Sequence, residues 1–237
     1  KENVILTSNT SGIPLTDLTK VFPKELRKNF LITHFFNPPR YMRLLELVRG
    51  PETDINTYKR LSSIGEDLLG KGIVHAKDTP NFIGNRIGVH GANNAIKIAI
   101  EMGLTVEEVD LLTGTIIGRP KSGIFRTADI VGLDVHAHVS ATSYDNLPND
   151  ESRDVLKTPD IVSKLIDKGL LGQKSGSGFY KKTEEGILSI DFKNLDYKPQ
   201  KRVRFDGVRR AKSYKDIKKR IKTLSYAEDK AGKFLWE

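Results

Sequence analysis

Short apolar blocks in the first third of the chain predict buried strands separated by helices. The blocks end at turn-forming residues, as strands of an α/β layer do. They cover residues 4–7, 30–36, 44–48 and 72–76. Between the strands, apolar residues recur at helical spacing near residues 15–22 and 54–69, which predicts helices there. Strands that alternate with helices predict an α/β domain over residues 1–78.

The second and third strands are joined by a short link that contains Asn37-Pro38-Pro39. A parallel crossover needs a dozen or more residues, usually including a helix. These two strands are therefore expected to pair antiparallel or to diverge.

After residue 78 the pattern becomes helical. A long helix is predicted over residues 81–102, and Thr105 with Glu108 forms a capping box for the next helix. Further helices are expected near residues 123–144 and 159–168, and strand signals return only at 178–180 and 187–190. The pattern predicts a mainly helical domain over residues 79–192.

Charge separates a third segment from the rest of the chain. The 237 residues carry a formal net charge of +9, and residues 193–237 account for all of it with 15 basic and 6 acidic residues. A charge run of this kind is most often solvated. We expect residues 193–237 to be an exposed basic linker or connector.

Several classes of protein and site are disfavoured by what the sequence lacks. It has no cysteine, which rules out disulfides and fits a reducing compartment, so a cytoplasmic location is expected. No signal peptide and no apolar run of membrane-spanning length is visible. The pairs Gly70/Gly72 and Gly176/Gly178 do not continue to G-x-G-x-x-G and are expected to be turn glycines. His136 and His138 should point to different helix faces, so no metal site is expected.

One pair of polar residues stands out within the apolar strands. His34 interrupts the second strand, and Glu46 lies between leucines in the third. A buried carboxylate needs a partner, and a pairing with His34 across neighbouring strands would orient the imidazole as a general base. The alternative is a satisfied core histidine and a glutamate that faces water.

Two further polar segments are candidates for the same site. Ser8-Asn9-Thr10-Ser11 follows the first strand, where open α/β sheets bind ligands, although an ordinary polar turn is the alternative. Asn85 is expected one or two turns into the helix that follows residue 78, where a surface or capping role is the alternative.

Seven segments together resemble the 3-hydroxyacyl-CoA dehydrogenases, in the order that this family shows. They cover about residues 3 to 182 and comprise Ser8–Ser11, His34–Pro38, Leu45–Val48, Asp78–Arg86, Gly118–Pro120, Asp129–Asp134 and Gly172–Tyr180. The resemblance implies the C-terminal part of a Rossmann-like NAD-binding domain followed by a helical dehydrogenase domain, α/β plus all-α.

The resemblance also implies a reaction and roles for single residues. The reaction is the NAD-dependent oxidation of an L-3-hydroxyacyl-CoA to a 3-ketoacyl-CoA in fatty acid β-oxidation. His34 matches the catalytic base and Glu46 the carboxylate that orients it. Ser11 and Asn85 match residues that bind the C3 oxygen of the substrate, and Asn9 and Asn37 lie where the family approaches the nicotinamide and its ribose.

Residues 118–127 and 224–236 are similar to fusions in which a dehydrogenase is followed by an enoyl-CoA hydratase. The Gly-rich unit that the family places before residue 4 is missing from the sequence. We therefore expect the chain to be a piece of a larger protein that turns over poorly alone. The acyl-CoA substrate is the expected partner, and a homodimer through the helical domain is a further possibility.

Two other functions are alternatives to the enzyme. The basic runs Lys201–Arg204, Arg209–Arg210 and Lys218–Arg220 favour a nucleic-acid-binding protein, but aromatic residues there are sparse and no nucleic acid or membrane partner is expected. The second alternative is a non-catalytic helical dimerisation module.

Overall fold

The computed structural model describes residues 4–237, so residues 1–3 of the predicted first domain lie outside the described residues. The chain divides into two compact units. Unit 1 comprises the residues up to Gly88 together with Thr142–Arg153, and unit 2 comprises Val89–Ala141 and Asp154–Glu237. The first part of unit 1 ends ten residues beyond the boundary expected near residue 78. The segment Thr142–Arg153, which lies within the helical domain predicted over residues 79–192, groups with the α/β part.

Strands and helices alternate in the first part of the chain, and helices predominate in the second part. They are β1 (Leu6–Ser8), α1 (Leu15–Lys20), α2 (Lys24–Arg27), β2 (Phe30–Phe35), β3 (Leu44–Arg49), α3 (Ile55–Ser63), β4 (Gly72–Ala76), α4 (Gly84–Glu101), α5 (Val106–Leu112), α6 (Phe125–Val131), α7 (Leu133–Asn146), α8 (Asp160–Asp167), β5 (Tyr180–Thr183), β6 (Gly186–Ile190), β7 (Tyr197–Pro199), α9 (Asp206–Ala211), α10 (Ile217–Ser225) and α11 (Lys230–Trp236). A π-helical turn, Ile64–Leu68, extends α3, and 3₁₀ turns lie at Thr115–Ile117, Arg153–Leu156 and Gln173–Ser175.

Unit 1 contains a four-stranded sheet with the order β1-β2-β3-β4. β1 pairs with β2 and β3 pairs with β4 in parallel, whereas β2 and β3 are antiparallel. The antiparallel alternative predicted from the short proline-rich link is confirmed. In this register His34 lies directly opposite Glu46.

Alternate residues of β2 and β3 enter two separate apolar clusters, as the pleat of a strand requires. Phe30, Ile32 and Val48 pack on one face with Leu15 and Phe82. Leu31, Leu45 and Leu47 pack on the other face with Tyr58 of α3. His34 and Glu46 have the parity of Ile32 and Val48, so their side chains belong to the face that carries Phe82.

Carboxylates fix the first turns of α1 and α3. Asp78 accepts hydrogen bonds from the backbone nitrogens of Leu15 and Thr16, at 2.8 and 3.1 Å. Asp54 is the N-cap of α3 and accepts from Asn56 and Thr57. These bonds satisfy backbone donors that a helix start leaves free.

Unit 2 has one large apolar cluster, which the helices surround. The predicted capping box of α5 is present, with Thr105 and Glu108 bonded to each other's backbone. The helix expected near residues 123–144 is instead two helices, because Gly132 has φ +102°, a conformation that cannot continue an α-helix. Between α8 and α9 lies a three-stranded antiparallel sheet, β5-β6-β7, whose last strand the sequence pattern did not predict.

The expected exposed linker at residues 193–237 is wrong. Helices α9, α10 and α11 bury Val208, Ala211, Leu224, Ala231 and Phe234 in the same apolar cluster as the core of α4 and α5. The many lysines and arginines of this segment lie on the outer faces of these helices, as amphipathic helices require. Among residues 4–237, no helix combines the length and the apolar character that a membrane crossing needs.

A buried aspartate explains two of the glycines in the segment around residue 175. Asp129 accepts hydrogen bonds from the backbone nitrogens of Phe179 and Tyr180, both at 2.8 Å. A Cβ on Gly178 would lie 2.1 Å from Oδ1 of Asp129, and one on Gly172 would lie 2.3 Å from its carbonyl oxygen. Burial raises the pKa of Asp129 to about 6, although the two backbone bonds oppose the shift. Gly178 is therefore a structural glycine, and Gly176 has φ +82° at the end of a 3₁₀ turn, as expected of a turn glycine.

Replacing Gly178 with alanine should destabilise unit 2 by about 3 kcal/mol, because the added methyl group overlaps a fixed carboxylate. A matched control is Gly91→Ala in α4, where nothing lies within 4 Å of the added atom. That change should raise stability by up to about 1 kcal/mol through helix propensity. Urea unfolding followed by circular dichroism measures both, and equal effects of the two substitutions would contradict the structure.

Candidate active site

The predicted pairing of His34 with Glu46 is present. Nδ1 of His34 lies 2.6 Å from Oε2 of Glu46, and both residues are buried, with 6 % and 1 % of their surface exposed. The alternative in which Glu46 faces water is therefore wrong. A carboxylate accepts only, so Nδ1 carries the proton in this bond, and Nε2 is the ring nitrogen left for another group.

Glu46 also holds the start of α4. Its second oxygen, Oε1, accepts hydrogen bonds from the backbone nitrogens of Ile83 and Gly84, at 3.0 and 2.7 Å. Burial by itself would raise the pKa of Glu46, but the bond from His34 and the two backbone bonds outweigh it and lower the pKa below its usual value. Glu46 is thus held as a carboxylate, next to the positive end of a helix.

Two aromatic rings enclose the imidazole of His34. The ring centroids of Phe36 and Phe82 lie 4.6 and 5.7 Å from that of His34. A Cβ on Gly84 would lie 2.4 Å from the tip of the Phe36 ring. Glycine at this position therefore lets the α4 turn approach both Glu46 and the ring that packs on His34.

The loop after β1 is attached to β2 next to His34. Oδ1 of Asn9 accepts a hydrogen bond from the backbone nitrogen of Phe35, at 2.8 Å. Ser8 and Thr10 bond to the backbone of the same loop, at 3.3 Å each, which is the role of a polar turn. The structure shows no such bond for the half-buried side chain of Ser11 to any residue in 4–237, so its hydroxyl is available to a ligand.

Two other candidates lie at the ends of the neighbouring elements. Asn85 is the second residue of α4, directly after Gly84, so it lies in the first turn rather than deeper in the helix. Asn37 is exposed and follows β2 by two residues. Neither side-chain amide has a hydrogen-bond partner within the described part of the chain, which suits contacts with a ligand.

Sequence reasoning missed the parts of the site that are made by backbone atoms and packing. The Ile83 and Gly84 amides leave no residue-type signal, because every residue except proline has an N–H. Phe36 and Phe82 could have been found from their proximity to His34 in the strand and to the predicted helix start. The separate faces predicted for His136 and His138 are confirmed, since His136 is buried against Asn93 in unit 2 whereas His138 is exposed.

The chain matches two models of known protein families. Residues 1–79 match the model of the 3-hydroxyacyl-CoA dehydrogenase NAD-binding domain, and residues 82–182 match that of the 3-hydroxyacyl-CoA dehydrogenase C-terminal domain. An α/β unit with a buried histidine–glutamate pair, followed by a helical unit, is thus the architecture of a two-domain dehydrogenase. The chain belongs to the 3-hydroxyacyl-CoA dehydrogenase family.

Individual relatives agree with this assignment. A probable 3-hydroxyacyl-CoA dehydrogenase of Bacillus subtilis is 43% identical over 236 residues, which are 100% of this chain and 30% of the relative. A putative fatty acid oxidation complex trifunctional enzyme of Rickettsia felis is 38% identical over 83% of this chain and 30% of its own length. The crystal structure of (S)-3-hydroxybutyryl-CoA dehydrogenase PaaH1 from Ralstonia eutropha matches with a TM-score of 0.65 and 31% identity, over 75% of this chain and 60% of that one. The chain thus spans about a third of the two curated relatives.

The lowered pKa of Glu46 gives its contribution to stability a defined pH dependence. A carboxylate with a depressed folded-state pKa stabilises the fold above its unfolded pKa of about 4.3, and this contribution is lost as pH falls through the folded value. We therefore expect the stability difference between the wild-type protein and Glu46→Gln to be largest at neutral pH and to shrink below about pH 4.

Urea titrations at a series of pH values measure this difference. The control is Glu52→Gln, because Glu52 is an exposed carboxylate in a surface pair with Arg27 and should show a small difference at every pH. A Glu46→Gln difference that stays constant or grows towards acid pH would contradict the described hydrogen bonds.

Proposed function

We propose that the protein containing this chain oxidises L-3-hydroxyacyl-CoA thioesters to 3-ketoacyl-CoA thioesters with NAD as the oxidant. The observation that carries the proposal is the buried bond between His34 Nδ1 and Glu46 Oε2 at 2.6 Å, located in a segment that matches the family's NAD-binding domain. Relatives named for action on 3-hydroxyacyl-CoA and 3-hydroxybutyryl-CoA support the substrate class.

His34 is the general base in this proposal. Nε2 takes the proton of the C3 hydroxyl while the carbon–oxygen bond becomes a carbonyl. Glu46 stabilises the imidazolium that forms and keeps Nδ1 protonated, so that Nε2 is the nitrogen that faces the substrate. The Phe36 and Phe82 rings pack against the buried imidazole, and this apolar surrounding strengthens its electrostatic interaction with Glu46.

Ser11 and Asn85 bind the C3 oxygen in this proposal. The Ser11 hydroxyl and the Asn85 amide can each donate a hydrogen bond to the C3 oxygen of the substrate. They can do so while this oxygen is a hydroxyl and while it becomes a carbonyl. In the reverse direction the same donors polarise the ketone before His34 returns the proton. That these side chains have no partner in the described part of the chain supports this role.

Asn9 and Asn37 are proposed to hold the nicotinamide end of NAD. The fit is chemical, because side-chain amides offer a donor and an acceptor, as the carboxamide and ribose hydroxyls of the cofactor require. When bound, NAD supplies the hydride acceptor for C3. Oδ1 of Asn9 is already bonded to Phe35, so its amide nitrogen is the atom left for the cofactor.

The proposal is tested by NADH-dependent reduction of acetoacetyl-CoA, measured on the complete polypeptide that contains these residues. His34→Gln should lower kcat by roughly 10² to 10⁴, since it removes the acid–base group. The control is His75→Gln, because His75 is an exposed histidine on strand β4 that bonds to Tyr58 at 2.6 Å. Activity of the His34 variant equal to wild type, or an equal loss in the His75 variant, would refute the assignment.

A further inference from the structure

The turn before α4 has an unusual backbone. Asn81 and Phe82 have φ of +59° and +50°, in the left-handed region that few residues other than glycine adopt. Asparagine tolerates this conformation better than most side chains, and phenylalanine does not. The turn directly precedes Ile83 and Gly84, whose backbone nitrogens donate to Glu46.

Asn81 is also a buried polar side chain with a partner from distant sequence. Its surface is 1 % exposed, and Nδ2 donates a hydrogen bond to Oγ of Ser143, at 2.7 Å. Ser143 is buried at 0 % exposure near the end of α7. The same two segments are joined a second time by the ion pair between Arg86 and Asp150, within unit 1.

We propose that Asn81, anchored by Ser143, is a positioning residue that aims the Ile83 and Gly84 amides at Glu46 and thereby sets the orientation of His34. The inference rests on the proposed function for its catalytic consequence. Asn81 acts through three successive contacts: its side chain fixes the turn, the turn amides fix Oε1 of Glu46, and Oε2 fixes Nδ1 of His34. It is not assigned any contact with substrate or cofactor.

Few other groups could replace these amides in holding Glu46. On β2 the titratable neighbour is His34, and on β4 the residue paired with Glu46 is the apolar Val74. The turn before α4 contributes backbone amides and the Phe82 ring. If the turn shifts, Oε1 is left buried with fewer donors, and the protonated form of Glu46 becomes more favourable.

The experiment uses three variants that weaken the turn in different ways. Ser143→Ala and Asn81→Gly remove the anchoring hydrogen bond but leave the left-handed backbone possible. Asn81→Ala removes the bond and also opposes the left-handed φ. The control is Asn146→Ala, which removes an exposed side-chain bond to the carbonyl oxygen of Thr142 at the end of the same helix.

The first measurement does not depend on activity. ¹³C NMR of carboxyl-labelled glutamate follows the titration of Glu46, with its resonance assigned by Glu46→Gln. The Glu46 midpoint should move to higher pH in all three variants and should remain at the wild-type value in Asn146→Ala. A midpoint equal to wild type in folded Ser143→Ala and Asn81→Gly would overturn the inference.

The second measurement is steady-state turnover on the complete polypeptide. We expect kcat to fall by about tenfold, because a small misorientation of a catalytic group is costly, while KM changes less than about twofold. An unchanged kcat in variants whose Glu46 midpoint has shifted would overturn the catalytic consequence of the inference. If the wild-type protein shows no turnover at all, the proposed function is contradicted, and the NMR titration alone then decides whether Asn81 positions Glu46.

Discussion

The buried carboxylate of Glu46 is the constraint on which unit 1 depends. An ionised group with 1 % exposure cannot rely on water, so donors from the fold must replace its hydration. Three donors do so: the imidazole of His34 and the amides of Ile83 and Gly84. Removing one partner of a buried pair typically costs about 3–5 kcal/mol. The carboxylate therefore links the register of β2 and β3 to the position of the α4 turn.

The same bonds give the site its chemistry. Because one oxygen of Glu46 is occupied by helix amides, the other can bond only in the direction of His34, and the tautomer of the imidazole follows from that geometry. The loop that carries Ser11 and the helix turn that carries Asn85 are each attached next to one member of the pair, by Asn9 and by Gly84. The proposed proton acceptor, His34, and the proposed ligands of the C3 oxygen, Ser11 and Asn85, thereby lie on segments that are attached to one another, as general acid–base catalysis requires.

The pairing of His34 with Glu46 could be predicted from the sequence, whereas the backbone amides that hold Glu46 could not. The link after β2 is too short for a crossover, so antiparallel pairing could be predicted as one of two alternatives, and with it a meeting of His34 and Glu46. The amide donors could not be predicted, since they depend on positive φ at Asn81 and Phe82 rather than on residue type. The prediction of an exposed linker over residues 193–237 was wrong because it rested on the charge of the segment. The segment also has a few apolar residues, such as Leu224 and Phe234, that are buried in one core. The grouping of Thr142–Arg153 with unit 1 depends on long-range contacts, which residue patterns do not encode.

The tautomer of His34 shows whether Glu46 accepts a hydrogen bond from its Nδ1. ¹⁵N NMR of histidine-labelled protein distinguishes protonated from unprotonated ring nitrogens, and His34→Gln identifies the resonances among those of the five histidines. If Glu46 accepts a hydrogen bond from His34, neutral His34 carries its proton on Nδ1 and leaves Nε2 unprotonated, and Glu46→Gln weakens this preference. A neutral His34 protonated on Nε2 in the wild-type protein would contradict this hydrogen bond, because Glu46 would then not accept the proton of the imidazole.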